Sequence, residues 1–202
     1  MTQAHNVLPA APVPVRLPKP RQSGGKPLLD AIHHRKCVRS FSAKSLSQQV
    51  LSDLLWVAFG ISGNDLEHRT APSARNWRET DIFVVMAQGS YRFDPVAETL
   101  EPVMMRDIRH QTGRQDFAAT APINFVYVAD FARMTPATEE EKIFFSALDV
   151  GAICENVCLF CASEDLATVV RTSIDQTDLA VSLGLRPDQR IIAAQSIGHV
   201  KD

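Results

Sequence analysis

The 202-residue chain lacks several features that would announce a function. It has no Gly-rich phosphate loop of the G-x-x-x-x-G-K-[ST] or G-x-G-x-x-G type and no G-x-S-x-G serine elbow. Nucleotide binding through a glycine loop and hydrolysis by a serine triad are therefore without support. Charge of neither sign is in excess, the formal net charge being −2. No general attraction to nucleic acid or an acidic membrane follows, and any anion site must be local. No run of about 18 apolar residues and no signal-like leader is present, so a cytoplasmic protein that neither spans nor coats a membrane is expected. Cysteine is scarce, with Cys37, Cys154, Cys158 and Cys161 only. Four such thiols do not make a secreted disulfide framework.

What is present is an ordinary core-forming composition, 45% hydrophobic, enough for one globular domain. Proline stands at positions 9, 12, 14, 18, 20 and 27. This excludes helix or central strand there and predicts an extended arm over 1–26, ahead of a folded unit over 27–202. A short amphipathic helix opens at Leu28, Leu29 and Ile32. Ser45-Leu46-Ser47-Gln48 reads as a capping box for a helix that carries Leu46, Val50, Leu51, Leu54, Leu55 and Ala58 on one face and stops near Gly60, with Gly63-Asn64 in the turn.

Strands are predicted over 81–87 and 90–93, the second ending at Asp94-Pro95 and forming a hairpin with the first. A helical stretch is expected over 104–112 and a buried strand over 123–129. The longest helical pattern covers 139–163 and is apolar nearly all round from Ala147, which predicts burial on most sides. A strand over 166–171, a helix over 175–183 closed by Gly184 and a last strand over 190–200 follow. Mixed elements without strict βαβ alternation give an α+β class, helices packed around a central sheet.

Two clusters carry the chemistry. Arg35-Lys36-Cys37-Val38-Arg39-Ser40-Phe41 sets three cations within five residues, the kind of set that side chains need to grip a phosphate. Pro72-Ser73-Ala74-Arg75-Asn76 lies just before a strand. By themselves these would be a basic turn and a polar loop. Their order, however, resembles the nitroreductase-fold flavoproteins: an Arg-Arg-Ser-Val-Arg-x-Phe opening, then a Pro-Ser-Ala-x-Asn loop. Later matches are Gly89-Ser90-Tyr91-Arg92-Phe93-Asp94-Pro95, Ala121-Pro122, Asp149-Val150-Gly151 with Asn156, and Ile197-Gly198-His199. The Tyr-x-Phe-Asp-Pro hairpin is most similar to the SagB-type branch of thiazole/oxazole-forming dehydrogenases.

The resemblance implies a nitroreductase-like fold with a mostly antiparallel sheet and an intertwined homodimer with FMN at the subunit interface. It implies that Arg35, Lys36, Cys37 and Arg39 hold the phosphate and ribityl chain. Pro72, Ser73, Ala74 and Asn76 would approach the flavin ring from the other subunit, Arg171, Thr172 and Ser173 would present backbone N–H groups near N5, and Lys201 would add a cation at the phosphate. Cys37 stands where the pattern has Ser, and Arg78-Glu79 where Gln at the substrate entrance is usual.

The implied activity is NADH- or NADPH-dependent reduction of nitroaromatics, quinones or similar small acceptors by ping-pong hydride transfer, with the flavin and no protein residue as the catalytic group. A dehydrogenase of thiazoline or oxazoline rings in modified peptides and a flavin-binding module without turnover are the alternatives. The 104–117 segment is the expected substrate loop.

Two metal readings fail on spacing. Cys154, Cys158 and Cys161 match the three-cysteine motif of radical iron–sulfur enzymes, but i, i+4, i+7 is one face of a helix and only 41 residues follow. They read as small buried hydrophobes. His33 and His34 point about 100° apart on a helix and have no partner carboxylate at ligand spacing.

Overall fold

A computed structural model describes residues 13–63, 66 and 68–201. The first twelve residues of the expected arm, and Asn64 of the turn after the second helix, lie outside the described residues. The elements in chain order are β1 Val15–Arg16, α1 Leu28–His34, α2 Gln48–Phe59, β2 Thr80–Met86, β3 Gly89–Asp94, β4 Thr99–Met104, α3 Asp116–Thr120, β5 Ile123–Asp130, α4 Glu139–Ser163, β6 Leu166–Arg171, α5 Gln176–Ser182 and β7 Gln189–His199. Short 3-10 turns lie at Ala74–Asn76, Arg109–Thr112 and Phe131–Arg133.

The seven strands form one sheet in the order β1-β4-β3-β2-β5-β7-β6, every pair antiparallel. β5 is buried along its whole length, which explains its unbroken apolar sequence. One sheet face carries Ile82, Val84, Phe125, Tyr127 and Ile197 against α2 and α4. The other carries Phe83, Val85, Val126, Val128 and Ala194 against Leu179 of α5. This alternation is the period-two pattern of a sheet packed on both sides.

Four expectations need correction. The cap of α2 is Ser47, whose hydroxyl accepts from Val50 N at 3.2 Å, rather than Ser45. Residues 99–103, given no element, and Met104, expected to open a helix, form β4, an edge-side strand that tolerates Pro102 because a missing N–H is cheapest there. Only Arg109–Thr112 of the expected helix is helical, and as a 3-10 turn. The proline arm contributes β1, paired with β4 at the sheet edge.

A fifth correction concerns α4. Thr138 and Glu141 close a capping box at its start. Asp149, Val150, Ile153, Cys154, Val157, Cys158 and Cys161 then face the core, the cysteines as free thiols. Burial pushes the thiols of Cys154 and Cys158 up to about 12 and about 11. By length and composition the helix could cross a membrane, and here one side of it packs on the sheet. The other side is bare: Phe144 is 64% and Leu148 59% exposed, with Ile143 and Gly151 beside them. Leu28, Leu29 and Ile32 of the neighbouring α1 are exposed too.

Candidate functional site

The basic segment is fixed along the β6–β7 edge of the sheet. Val38 N–H donates to Thr168 O of β6 at 2.9 Å, Ser42 N–H donates to His199 O at 2.9 Å, and Phe41 bridges Val200 antiparallel. That register sets Ser40 opposite Lys201, with Arg39 next to Ser40 along the chain. Gly198 makes the approach possible: a Cβ there would lie 2.6 Å from Pro122 and 3.3 Å from the Phe41 ring.

The cations at this corner are largely unspent. Arg35 reaches Glu155 only at 3.9 Å. Lys36, Arg39 and Lys201 make no hydrogen bond or ion pair with any described residue. Cys37 is exposed among them, a free thiol. An anion with several oxygens fits this set, because it would give each cation a charge-assisted partner.

Three residues along β6 from Thr168, about 10 Å at strand rise, lies Arg171. Its guanidinium points inward and is 95% buried by its 5% exposure. It donates to Thr112 O, to Asn124 Oδ1 at 2.7 Å and to Ser196 Oγ at 3.0 Å, and stands 5.8 Å from the Phe117 ring centre. No carboxylate accompanies it, and burial draws its pKa down to about 10. The side chain thus pins the 109–112 turn to the sheet, and only the backbone is left to face a ligand. Thr172 O and Ser173 O accept from Ile174 N and Arg114 N, both at 3.0 Å.

The 72–76 loop is built differently. Arg75, Asn76 and Arg78 all have positive φ, between 50° and 55°, a region that costs non-glycine residues of order 1–3 kcal/mol each. Bonds hold it there. Ala74 N–H donates to Asp149 Oδ2 at 2.7 Å, Arg78 N–H to Ser73 Oγ at 2.7 Å, and Ser73 Oγ to Glu79 Oε2 at 3.1 Å. Arg75 donates to Pro136 O and pairs with Glu141 at 3.1 Å while lying over the Trp77 ring. Pro72 and Asn76 are exposed, Ser73 and Ala74 half-buried.

Behind the loop, Glu79 and Asp149 are buried at 0% and 4% exposure and hydrogen-bond to each other. Burial raises the pKa of both. Glu79 therefore does not sit at an entrance, as its replacement of Gln suggested. Asn156 braces the same region, its amide donating to Val57 O and Thr70 O, each at 3.0 Å.

The two clusters reach α4 at different points. The loop is anchored on α4 at Asp149 and the basic segment at Glu155, six residues apart, which is about 9 Å along the helix and about 120° around it. A separate apolar cavity of about 660 Å³ between α2, β1 and the β2–β3 turn, lined by Leu17, Leu46, Met86, Tyr91, Leu100 and Arg109, contains neither cluster. Of the expected substrate loop only Arg109 lines it.

Comparison with known proteins bears on this arrangement. Residues 32–199 match the model of the Nitroreductase family. A crystal structure described as a nitroreductase of Ralstonia eutropha JMP134 superposes with a TM-score of 0.88 at 37% identity, covering 94% of this chain and 90% of that one. The E. coli microcin synthetase McbBCD complex with truncated pro-MccB17 bound gives 0.71 at 18% identity, over 85% of this chain and 73% of its own. A Desulfovibrio desulfuricans structure in complex with FMN gives 0.62 at 21%, over 89% of each chain. With its α+β sheet, its cation corner and its strained loop, the chain belongs to the Nitroreductase family of flavoprotein oxidoreductases.

Proposed function

We propose that the protein is a cytoplasmic FMN-dependent oxidoreductase that works as a homodimer, taking hydride from NADH or NADPH and passing electrons to nitroaromatic, quinone or similar small acceptors in a ping-pong cycle. The observation that carries this reading is the set of cations without a partner among the described residues, Lys36, Arg39 and Lys201, on segments held by strand register at one end of β6. The residues Thr172 and Ser173 follow the other end.

FMN, when bound, supplies hydride acceptance and donation at its N5. The chain's own residues bind and orient it. Arg35, Lys36, Arg39 and Lys201 take the phosphate oxygens, with Cys37 replacing a hydroxyl donor by a weak thiol. Thr172 and Ser173, their carbonyls already engaged, have their N–H groups to offer the ring. Buried Arg171 adds an uncompensated positive charge on that side, which favours a ring that gains negative charge on reduction.

The 72–76 loop, with the Asn76 amide as donor and acceptor, comes from the second subunit. The bare face of α4 supports that pairing. Gly151 in the middle of it has open space at its Cβ position, so nothing within the chain requires glycine there. A second copy packed closely on this face would.

The thiazoline-dehydrogenase reading needs a side-chain base, and the tyrosines do not provide one. Tyr91 and Tyr127 are both buried. The Tyr127 hydroxyl donates to Gln195 Oε1 at 2.6 Å and burial raises its pKa well above the usual tyrosine value. The decisive experiment is to purify the protein, identify any released chromophore, and follow anaerobic bleaching of bound FMN by NADH and NADPH. Bleaching is the expected result. Colourless protein that fails to take up FMN would overturn the reading, and yellow protein that neither nucleotide bleaches would leave a binding module.

A further inference from the structure

Glu79 and Asp149 are two acids in contact, almost without exposure, in a place where no base reaches them. Among the described residues the cations of the surrounding segments pair with other groups. Arg133 pairs with Asp81 and Asp130, and Arg186 with Asp130 and Asp188. Arg75 pairs with Glu141, the Arg78 guanidinium donates to Asn76 O and Leu66 O, Lys142 lies over the Phe131 ring and Arg69 over the Phe59 ring. The other polar groups at the pair are the hydroxyls of Ser73 and Thr80 and the N–H groups of Ala74 and Glu79.

Two adjacent buried carboxylates cannot both stay ionised without partners, so such a pair retains a proton. Donors face both carboxyls, Ala74 N–H at Asp149 and the Ser73 hydroxyl with the Glu79 N–H at Glu79. The single proton lies between the two acids and is shared by them.

We propose that Glu79 is the positioning residue of the 72–76 loop: the proton it shares with Asp149 keeps Asp149 in place to hold Ala74 N–H, and with it the left-handed conformation of Arg75, Asn76 and Arg78. This rests on the reading of that loop as the ring-side flavin contact. When the proton leaves, two negative charges face each other behind the loop. Asp149 is fixed by α4, and Glu79 O is held by Asp130 N–H at 2.9 Å. The strained 3-10 turn is the part that can yield.

The sign with pH follows from linkage. The docked loop holds a proton that the open form releases, so docking is fully retained below the ordinary glutamate pKa and is lost as pH rises through the raised one.

The test uses the whole protein with Trp56→Phe as background, so that emission reports Trp77 at the end of the loop. Trp77 emission and FMN affinity are followed from pH 5 to 9 in this protein and with Glu79→Gln added, whose amide donates to Asp149 and does not titrate. The expected result is a transition in Trp77 emission and at least a tenfold weakening of FMN across it, with Glu79→Gln flat in emission and at least tenfold less pH-dependent in affinity. Because both proteins meet the same FMN, titration of the cofactor cancels.

Identical profiles in the two proteins would overturn the proposal, as would a Glu79→Gln loop that is open at every pH. A Trp77 transition abolished by Gln, in a protein that never binds FMN, would support the shared proton and overturn the flavin assignment of the loop. Should Glu79→Gln fail to fold, Asp149→Asn gives the same flattening from the other partner, its amide donating to ionised Glu79.

Discussion

The corner at residues 35–41 and the loop at 72–76 solve opposite problems. At the corner the backbone is bound into the sheet by Val38, Phe41 and Ser42, while Lys36, Arg39 and Lys201 have no ion pair or hydrogen bond among the described residues. At the loop the backbone is strained at three residues, and nearly every polar group already has its bond inside the chain. An unspent charge on a rigid frame is shaped for an ion that arrives. A strained backbone held by internal bonds is shaped for a surface that must not move. The first should set how tightly a phosphate is held, and the second how a ring is oriented.

The comparison breaks most severely if the two regions are kept on separate chains. Phe144→Glu with Leu148→Glu places two charges on the bare face of α4. The expected outcome is a protein of half the sedimentation mass whose FMN affinity falls by about two orders of magnitude, near 3 kcal/mol. Unchanged FMN binding by the monomer would show that one chain holds the whole site.

Next in size is the split between phosphate and ring. Arg39→Ala should weaken FMN by about 1.5–3 kcal/mol, the range for hydrogen bonds to charged groups, and leave riboflavin unaffected because it carries no phosphate. Ser73→Ala removes the acceptor of Arg78 N–H and a donor to Glu79. It should cost about 1–2 kcal/mol in binding of both flavins. Parallel titrations with FMN and riboflavin check both variants, and equal effects of Arg39→Ala on the two ligands would erase the distinction.

The smallest effect sharpens the picture at Gly151. In an isolated chain Gly151→Ala should stabilise α4 by about 0.5–1 kcal/mol, since the Cβ meets nothing within 4 Å. In a dimer packed on that face it should instead raise the dimer dissociation constant. Melting temperature measured against protein concentration separates the two outcomes.

Much of this was legible in the sequence, and the failures share a cause. The β-rich run of β2, the unbroken apolar run of β5 and the helical stretch closed by Gly184 are local signals, and they gave strands and helix within a residue or two. β4 was missed because Pro102 and a turn residue at positive φ, Glu98, depend on an edge position that only the assembled sheet supplies. The phosphate corner was legible as charge, yet its geometry comes from pairing with Thr168 and His199, far away in sequence. Glu79 and Asp149 were invisible as a pair, because nothing at either position signals that 70 residues of chain will bring two acids together. The apolar run on α4 spoke for burial on most sides, and the fold leaves Ile143, Phe144 and Leu148 exposed.

The separation of the two clusters around α4 has a consequence in genetic terms. In the dimer proposed above, a chain carrying Arg39→Ala and a chain carrying Asn76→Ala would each be defective at both sites. Expressed together they would form mixed dimers in which one site inherits both lesions and the other inherits none. Two inactive alleles would then complement each other. A single gene would behave in that cross as if it were two.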